Sequence, residues 1–295
     1  MSGLENELAQ RLGVRFALVQ APMAGVQPPA LAAAVSNAGA LGTIAGAALT
    51  ADALRGAIHE VRARTGEPFA VNLFSPPYMN DDAFTVVLEE KPAAFSFTFG
   101  PVDPAPLRDA GIVVLGTATT VAEARALDVD VVVAQGAEAG GHRGTFLGSF
   151  EDALVPLAEL VPEVVSAVDV PVVAAGGIMD GADAKRALAL GAQGVQLGTA
   201  FLFAPECDAP PEWLAALRTR ETVVTPAYSG RHARAARTPF LEKLMAGPPP
   251  LPFPEQRAAV RARPDAEGFF LGGTGAKRAR DLPAAELVLA VVTGS

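Results

Sequence analysis

The feature that most constrains the fold is a regular alternation of short apolar segments with longer segments of helical length. The apolar segments predict strands at 16–20, 41–45, 69–73, 94–98, 112–115, 129–134, 172–175 and 194–197. The stretches between them predict helices at 28–38, 50–65, 80–90, 104–110, 119–127, 151–168 and 180–190. Strands that alternate with helices favour a parallel sheet. Eight strands within about 200 residues match an α/β fold of the (β/α)8 TIM barrel type better than an open, doubly wound sheet.

The pattern changes after residue 203. Residues 204–282 are rich in Pro, Arg and Gly, and they predict short helices joined by loops that cover the barrel mouth as a cap. Residues 283–292 are again apolar and helical, which predicts a final helix that returns to the barrel. The expected domains are therefore a barrel, 1–203 and 283–295, and a cap region, 204–282.

Composition excludes several classes of protein. Of the 295 residues, 50% are hydrophobic, but no apolar run is long enough to span a bilayer, so no membrane association is expected. The segment 1–7 lacks the basic and apolar regions of a signal peptide, which predicts a cytoplasmic protein. A net charge of −9 argues against nucleic acid as a partner. The one cysteine, Cys207, excludes an internal disulfide and a cysteine-based metal cluster.

A glycine-rich loop with one histidine directly follows a predicted strand. Residues 134–144 read Ala-Gln-Gly-Ala-Glu-Ala-Gly-Gly-His-Arg-Gly, and His142 is one of only three histidines. An imidazole suits proton transfer near neutral pH, and Gly140 and Gly141 allow close approach of backbone to a ligand. His142 is thus a candidate catalytic residue, with an ordinary surface-loop histidine as the alternative. No metal is expected, because these glycines disfavour the helix that would align Glu138 with His142.

Amide side chains recur at the predicted carboxyl ends of strands. Asn72, Gln135 and Gln196 would share the rim of the barrel where active sites of this fold lie. Buried amides need partners, so several on one rim indicate a polar ligand. Pairing with loop backbone is the alternative for each of them.

Glycine turns follow the last two predicted strands. Gly176-Gly177 and Gly198-Thr199 each precede a candidate helix start. Barrels commonly hold a phosphate at these positions on backbone N–H groups, and the Thr199 hydroxyl adds a donor. Two tight turns without a ligand are the alternative.

Two further glycine-rich segments do not complete a nucleotide-binding motif. Residues 37–42 lack the full Gly-x-Gly-x-x-Gly order and precede a strand rather than follow one. Residues 272–277 end in Lys277 without forming a complete P-loop. Neither a Rossmann site nor an NTPase site is predicted.

Taken together, these segments resemble the nitronate monooxygenase family, formerly called 2-nitropropane dioxygenases, which are FMN-dependent (β/α)8 barrels. The resemblance covers nearly the whole chain in the expected order, through segments 20–25, 31–42, 71–74, 134–144, 174–178, 191–202, 228–231 and 283–288. Segment 134–144 is its most specific part.

The resemblance implies roles for individual residues. Met23 and Ala24 would lie along the isoalloxazine ring, and His142 would be the catalytic base. Asn72 and Gln135 would form hydrogen bonds with the ring. The ribityl phosphate would be held by Gly140 and Gly177 together with Gln196, Gly198 and Thr199. Gly273 and Thr274 would also approach the flavin. The full set expected to bind the cofactor is Ala21, Pro22, Met23, Ala24, Asn72, Gln135, Gly140, Gly141, Ala175, Gly176, Gly177, Gln196, Gly198 and Thr199.

Three departures from the family pattern concern the expected substrate region. Residues 26–29, Val-Gln-Pro-Pro, replace the usual run of small residues. His232 stands where a proline is common, and the chain is short for the family, which implies a trimmed cap.

The resemblance implies oxidation of a small nitronate or nitroalkane by O2, giving a carbonyl compound and nitrite, with a homodimer as one expected assembly. An FMN-dependent NAD(P)H reductase acting on quinones or enoyl thioesters is the alternative. The enoyl reductases of the family tend to have glutamate and serine where this chain has Gln135 and Ala139, which favours the monooxygenase. A flavin-free barrel that binds a phosphorylated metabolite is a third hypothesis.

Overall fold

The computed structural model describes residues 3–294. Its strands are β1 Leu18–Gln20, β2 Gly42–Ala45, β3 Phe69–Phe74, β4 Ala94–Thr98, β5 Val113–Ala118, β6 Val131–Gln135, β7 Gly141–His142, β8 Val172–Ala175, β9 Gly194–Leu197, β10 Thr222–Thr225 and β11 Ala233–Ala236. Its α-helices are α1 Glu7–Leu12, α2 Pro29–Asn37, α3 Ala51–Arg64, α4 Asp81–Glu90, α5 Ala105–Asp109, α6 Val121–Ala126, α7 Leu157–Val165, α8 Gly181–Ala189, α9 Pro211–Thr219, α10 Pro239–Met245, α11 Glu255–Arg261 and α12 Ala284–Thr293. Short 3-10 helices lie at Gly46–Ala48, Thr199–Phe203 and Ala276–Arg278.

Eight parallel strands form the barrel. They follow the order β1-β9-β8-β6-β5-β4-β3-β2, and a parallel bridge between Val19 and Leu41 closes the ring. At this closure the Gln20 N–H donates to the Leu41 carbonyl at 2.9 Å, and the Leu41 N–H donates to the Leu18 carbonyl at 2.8 Å. All eight predicted barrel strands are present, so the predicted (β/α)8 barrel is confirmed.

Burial on both faces explains why the barrel strands read as continuous apolar runs. Residues 131–134 of β6 are each no more than 1% exposed, as expected for a parallel strand covered by side chains inside and helices outside. Several of the surrounding helices begin at polar caps, and others begin at a proline. Thr120 caps α6 by accepting from the Glu123 N–H, and Asp180 caps α8 by accepting from the Asp183 N–H.

The last helix completes the outer layer. Helix α12 packs against α2 and α8. A Cβ atom added at Gly181, the first residue of α8, would lie 2.4 Å from the Gly294 Cα atom, so glycine is required for this close approach. The prediction that residues 283–292 return to the barrel is confirmed. Among residues 3–294, no helix is long and apolar enough to cross a membrane.

The cap region contains a sheet that the sequence did not predict. Strands β10 and β11 are antiparallel, and β11 pairs in turn with β7, which places Ala233 opposite His142. The expectation of helices and loops alone for 204–282 was therefore wrong. Segment 233–236 reads Ala-Arg-Ala-Ala, which has high helix propensity, and it becomes a strand only because β7 and β10 supply hydrogen-bonding partners on both sides.

The predicted helix 151–168 also begins later than expected, at Leu157. Pro156 disfavours helical conformation for the residue before it, and it acts as the N-cap of α7. The Glu138 carboxylate accepts from the Leu157 N–H at 3.0 Å, which fixes the start of the helix from a distant loop. This interaction is not visible in the local sequence.

Candidate active site

Four loops meet at the carboxyl ends of the barrel strands. They are residues 21–24 after β1, 136–140 after β6, 176–177 after β8 and 198–199 after β9. A Cβ atom added at Gly198 would lie 3.1 Å from the Ala21 Cβ atom and 3.9 Å from the Met23 sulfur. One added at Gly176 would lie 3.0 Å from the Ala139 nitrogen. The loops after β1 and β9 are thus neighbours, and so are those after β6 and β8.

A fifth loop, residues 272–275, closes over this group. The Gly273 N–H donates to the Thr199 hydroxyl at 2.9 Å, and the Thr274 N–H donates to the Glu138 carbonyl at 3.0 Å. A Cβ atom added at Gly140 would lie 2.5 Å from the Gly272 carbonyl carbon. We call the loops 138–140, 176–177, 198–199 and 272–274 together the glycine cradle.

The glycine cradle has the properties of an anion site built from backbone. The residues Gly140, Gly177 and Gly198 are half-buried, and within residues 3–294 their N–H groups donate to no other group of the protein. Gly176 and Gly177 have φ values of +131° and +70°, a conformation that favours glycine. Clustered free N–H groups at turns attract phosphate. The cradle therefore fits a cofactor that carries a phosphate.

Two of the predicted rim amides are engaged by the protein itself. Gln135 donates to the His142 carbonyl at 3.1 Å and accepts from the Gly144 N–H at 2.8 Å. Asn72, which is 3% exposed, donates to the carbonyl and hydroxyl oxygens of Ser96 at 3.1 and 2.9 Å. Pairing within the protein, mostly with backbone, accounts for these hydrogen bonds. Gln135 holds the loop that carries His142.

The predicted cofactor-binding residues do not all lie at the glycine cradle. Asn72 lies on β3, separated from β6 by β4 and β5, and it is not brought into the glycine cradle. Gln196 is half-buried on β9, opposite the buried Ala175 of β8. After β1, Ala21, Pro22 and Met23 are half-buried and Ala24 is exposed. Gly141 lies in β7 beside His142, with φ +76°.

His142 lies among aromatic rings at the barrel mouth. The centroid of its ring is 5.5 Å from that of Phe253 and 6.2 Å from those of Phe99 and Phe269. Its Nε2 atom is 3.0 Å from the Ser229 hydroxyl. We call Phe99, Phe253 and Phe269 the aromatic cage. The ring of His142 therefore lies among three flat, apolar surfaces.

The charge state of His142 follows from its surroundings. Burial, followed by the positive charges of Arg231 and Arg257, lowers the pKa of His142 to about 3. The imidazole is therefore neutral at pH 7. The Arg231 guanidinium lies 3.7 Å from the centre of the Phe99 ring and donates to the Arg143 and Thr145 carbonyls. A neutral base thus lies beside a fixed positive charge.

A buried arginine supports the loop from below. Arg143 is 1% exposed and donates to the Gly136, Gln135 and Ala153 carbonyls at 2.6, 2.9 and 3.1 Å. Burial lowers the pKa of Arg143 to about 10, which still leaves it charged at pH 7. Because one guanidinium joins three loop carbonyls, the loop after β6 is held in a single shape.

A protein-family model described as "Nitronate monooxygenase" matches residues 5–85 and 79–294 of this chain. The chain belongs to the nitronate monooxygenase family. It is 39% identical to a nitronate monooxygenase from Pseudomonas aeruginosa, over 98% of this chain and 99% of that protein. The resemblance stated from the sequence is thereby confirmed, and the protein is an enzyme of the oxidoreductase type.

Solved structures agree with this family and fold. A nitroalkane oxidase from Streptomyces ansochromogenes superimposes with a TM-score of 0.89 at 37% identity, covering 97% of both chains. FabK from Thermotoga maritima superimposes with a TM-score of 0.82 at 33% identity, covering 97% of this chain and 94% of that one. Proteins with two different names, a nitroalkane oxidase and FabK, therefore share the barrel of this chain.

Sequence reasoning missed several residues that surround His142. Ser229 and Arg231 lie in a segment that matched the family pattern, but that match assigned them no role. The aromatic cage gave no local signal, because Phe99, Phe253 and Phe269 are far apart in the chain and only the fold brings them together.

Proposed function

We propose that this protein holds FMN in the glycine cradle and oxidises alkyl nitronates with O2 to carbonyl compounds and nitrite. The observation that carries the proposal is the juxtaposition of a backbone anion site with a neutral histidine in an aromatic cage. Bound FMN would supply the electron acceptor and the reactivity towards O2. The protein would bind, orient and desolvate the substrate.

In this proposal the free N–H groups of Gly140, Gly177 and Gly198 in the glycine cradle would bind the phosphate of FMN. The Thr199 hydroxyl already accepts from the Gly273 N–H, and its own proton remains available for a phosphate oxygen. The neighbouring residues Ala21 and Met23, beside Gly198, are then positioned to line the body of the cofactor.

Electrostatics supports a nitronate rather than a neutral nitroalkane as the preferred substrate. A nitronate is an anion, and Arg231 and Arg257 both provide positive charge near His142. A neutral nitroalkane must first lose a proton to a base. With a pKa of about 3, His142 is a weak base at neutral pH, since a general base is most effective when its pKa lies near the working pH.

The proposal is tested by the colour of the protein and by its turnover. The purified protein should be yellow or should bind added FMN, with nitrite release and O2 uptake on 2-propylnitronate. Replacing His142 with Ala should reduce turnover of 2-nitropropane more than turnover of its nitronate, at the lower end of the about 10²–10⁴-fold typical of general base catalysis. Colourless protein whose added FMN shows no spectral change would exclude the flavin.

The reductase alternative is favoured by one observation, the similarity to FabK. The discriminating measurement is anaerobic addition of NADH to the FMN-loaded protein. We expect the flavin absorbance to persist with NADH and to be lost with a nitronate. Rapid loss with NADH alone would favour the reductase.

A further inference from the structure

Ser229 contacts the ring of His142 at its Nε2 atom. It is completely buried in the loop between β10 and β11, with its hydroxyl 2.9 Å from the Arg231 carbonyl and 3.0 Å from His142 Nε2. The Arg231 N–H also approaches the same oxygen at 3.4 Å. A carbonyl can only accept, so the single hydroxyl proton of Ser229 is donated to Arg231. Towards His142, the Ser229 oxygen is therefore an acceptor.

This arrangement decides which nitrogen of His142 carries the proton. A neutral imidazole has one N–H, and the acceptor on Ser229 requires that it be Nε2–H. Among residues 3–294, Nδ1 has no hydrogen-bond partner. The lone pair of the ring is therefore on Nδ1.

The aromatic cage keeps the ring in this orientation. The Phe253, Phe269 and Phe99 rings meet the imidazole plane at 67°, 76° and 79°. A half-turn of the imidazole about its Cβ–Cγ bond would place carbon Cε1 against Ser229 and lose the hydrogen bond. Packing and hydrogen bonding thus favour the same orientation.

We propose that Ser229 is a positioning residue that holds the proton of His142 on Nε2 and makes Nδ1 the proton-accepting atom of the active site. The proposal rests on the function proposed above. When a neutral nitroalkane reacts, its α C–H bond would break and the proton would bind Nδ1. The electron pair would remain on the substrate, which becomes the nitronate, and the ring would become an imidazolium that still donates from Nε2 to Ser229.

The test is the tautomer of His142 in the FMN-loaded protein, measured by ¹H–¹⁵N correlation through the ring couplings at pH 7. The chain has only three histidines, so the signals that vanish in His142→Gln identify the ring. We expect a protonated Nε2 and an unprotonated Nδ1 in the unmodified protein. In Ser229→Ala both tautomers should be populated, and Ser229→Thr, which keeps the hydroxyl, should restore the original pattern.

Activity gives a second readout that a purely structural role would not produce. Equal tautomer populations alone would lower the rate on 2-nitropropane by about twofold relative to the rate on its nitronate, because only the Nδ1-unprotonated fraction is competent. A protonated Nδ1 in the unmodified protein, or an unchanged tautomer in Ser229→Ala, would overturn the proposal. If Ser229→Ala fails to fold, the spectrum of the unmodified protein still decides the tautomer. Lack of nitronate oxidation by the unmodified protein would instead overturn the proposed function and leave the tautomer result standing.

Discussion

Replacing Gly140 with alanine should open the glycine cradle. The added Cβ atom would lie 2.5 Å from both the Gly272 carbonyl carbon and the Gly273 nitrogen, whereas ordinary van der Waals contact begins at 3.4 Å. Backbone atoms cannot swing away as a side chain can. Loop 272–275 must therefore retreat by about 1 Å to relieve the overlap.

The magnitude follows from the hydrogen bonds that such a retreat breaks. The loop is held by the Gly273 N–H on Thr199 at 2.9 Å and by the Thr274 N–H on Glu138 at 3.0 Å. Each bond contributes about 0.5–1.5 kcal/mol, so losing both costs about 1–3 kcal/mol. If FMN requires the closed cradle, its dissociation constant should rise by about 5- to 150-fold.

The assay is fluorescence titration of the flavin-free protein with FMN, with thermal unfolding as a check that the variant is folded. Gly66→Ala is the matched control, because a Cβ atom at this exposed glycine meets nothing within 4 Å. We expect the control to bind FMN like the unmodified protein. A folded Gly140→Ala that binds FMN within about twofold of the unmodified protein would refute the assignment of the cradle.

Two further predictions concern stability. Arg143→Met should destabilise the fold by at least about 2 kcal/mol in urea unfolding, because the Gln135 and Ala153 carbonyls lose a donor at about 1–3 kcal/mol each, while the Gly136 carbonyl keeps the Ala139 N–H. The exposed Arg125→Met should change stability by less than about 0.5 kcal/mol, and equal effects of the two would contradict this account. The pKa of His142 is about 3 in the folded protein, below the ordinary value of 6.5. Between these two pH values the imidazole is protonated in the unfolded chain and neutral in the folded protein. Stability should therefore fall as pH drops from 6.5 towards 3, with a contribution from His142 of up to about 1.4 kcal/mol per pH unit, and His142→Gln should remove that contribution.

The barrel was predictable because its strands are buried on both faces. Such strands appear in the sequence as apolar runs such as 129–134, and each is separated from the next by a helix with its own caps. Helix α1 was missed because six residues, Glu7–Leu12, are too few for a clear period. Strand β11 was missed because its alanines favour a helix, and only its pairing with β7 makes it a strand.

The sequence predicted the positions of the backbone groups of the candidate site better than the side chains that surround His142. Gly176, Gly177 and Gly198 directly follow strand ends in the sequence, so their proximity follows from the barrel, whereas loop 272–274 joins them only in the tertiary structure. The surroundings of His142 depend on contacts between distant segments. Ser229 is 87 positions away from His142 and Phe253 is further still, and no local pattern reports such contacts. The proton position and the low pKa of His142 are therefore properties of the tertiary structure.

These contacts bear on the predicted division into barrel and cap, which remains a prediction. His142 follows a barrel strand, but its hydrogen-bond partner Ser229, one of the charges that lowers its pKa, Arg231, and two of its cage rings all come from residues 204–282. The pairing of β7 with β11 fixes this relation, because it places the His142 backbone opposite Ala233, four residues after Ser229. A change in the cap would therefore alter the basicity and tautomer of His142 as well as the shape of the substrate space. Relatives that share the barrel but differ in the cap can then differ in how they handle a neutral nitroalkane and its nitronate, with the histidine itself unchanged.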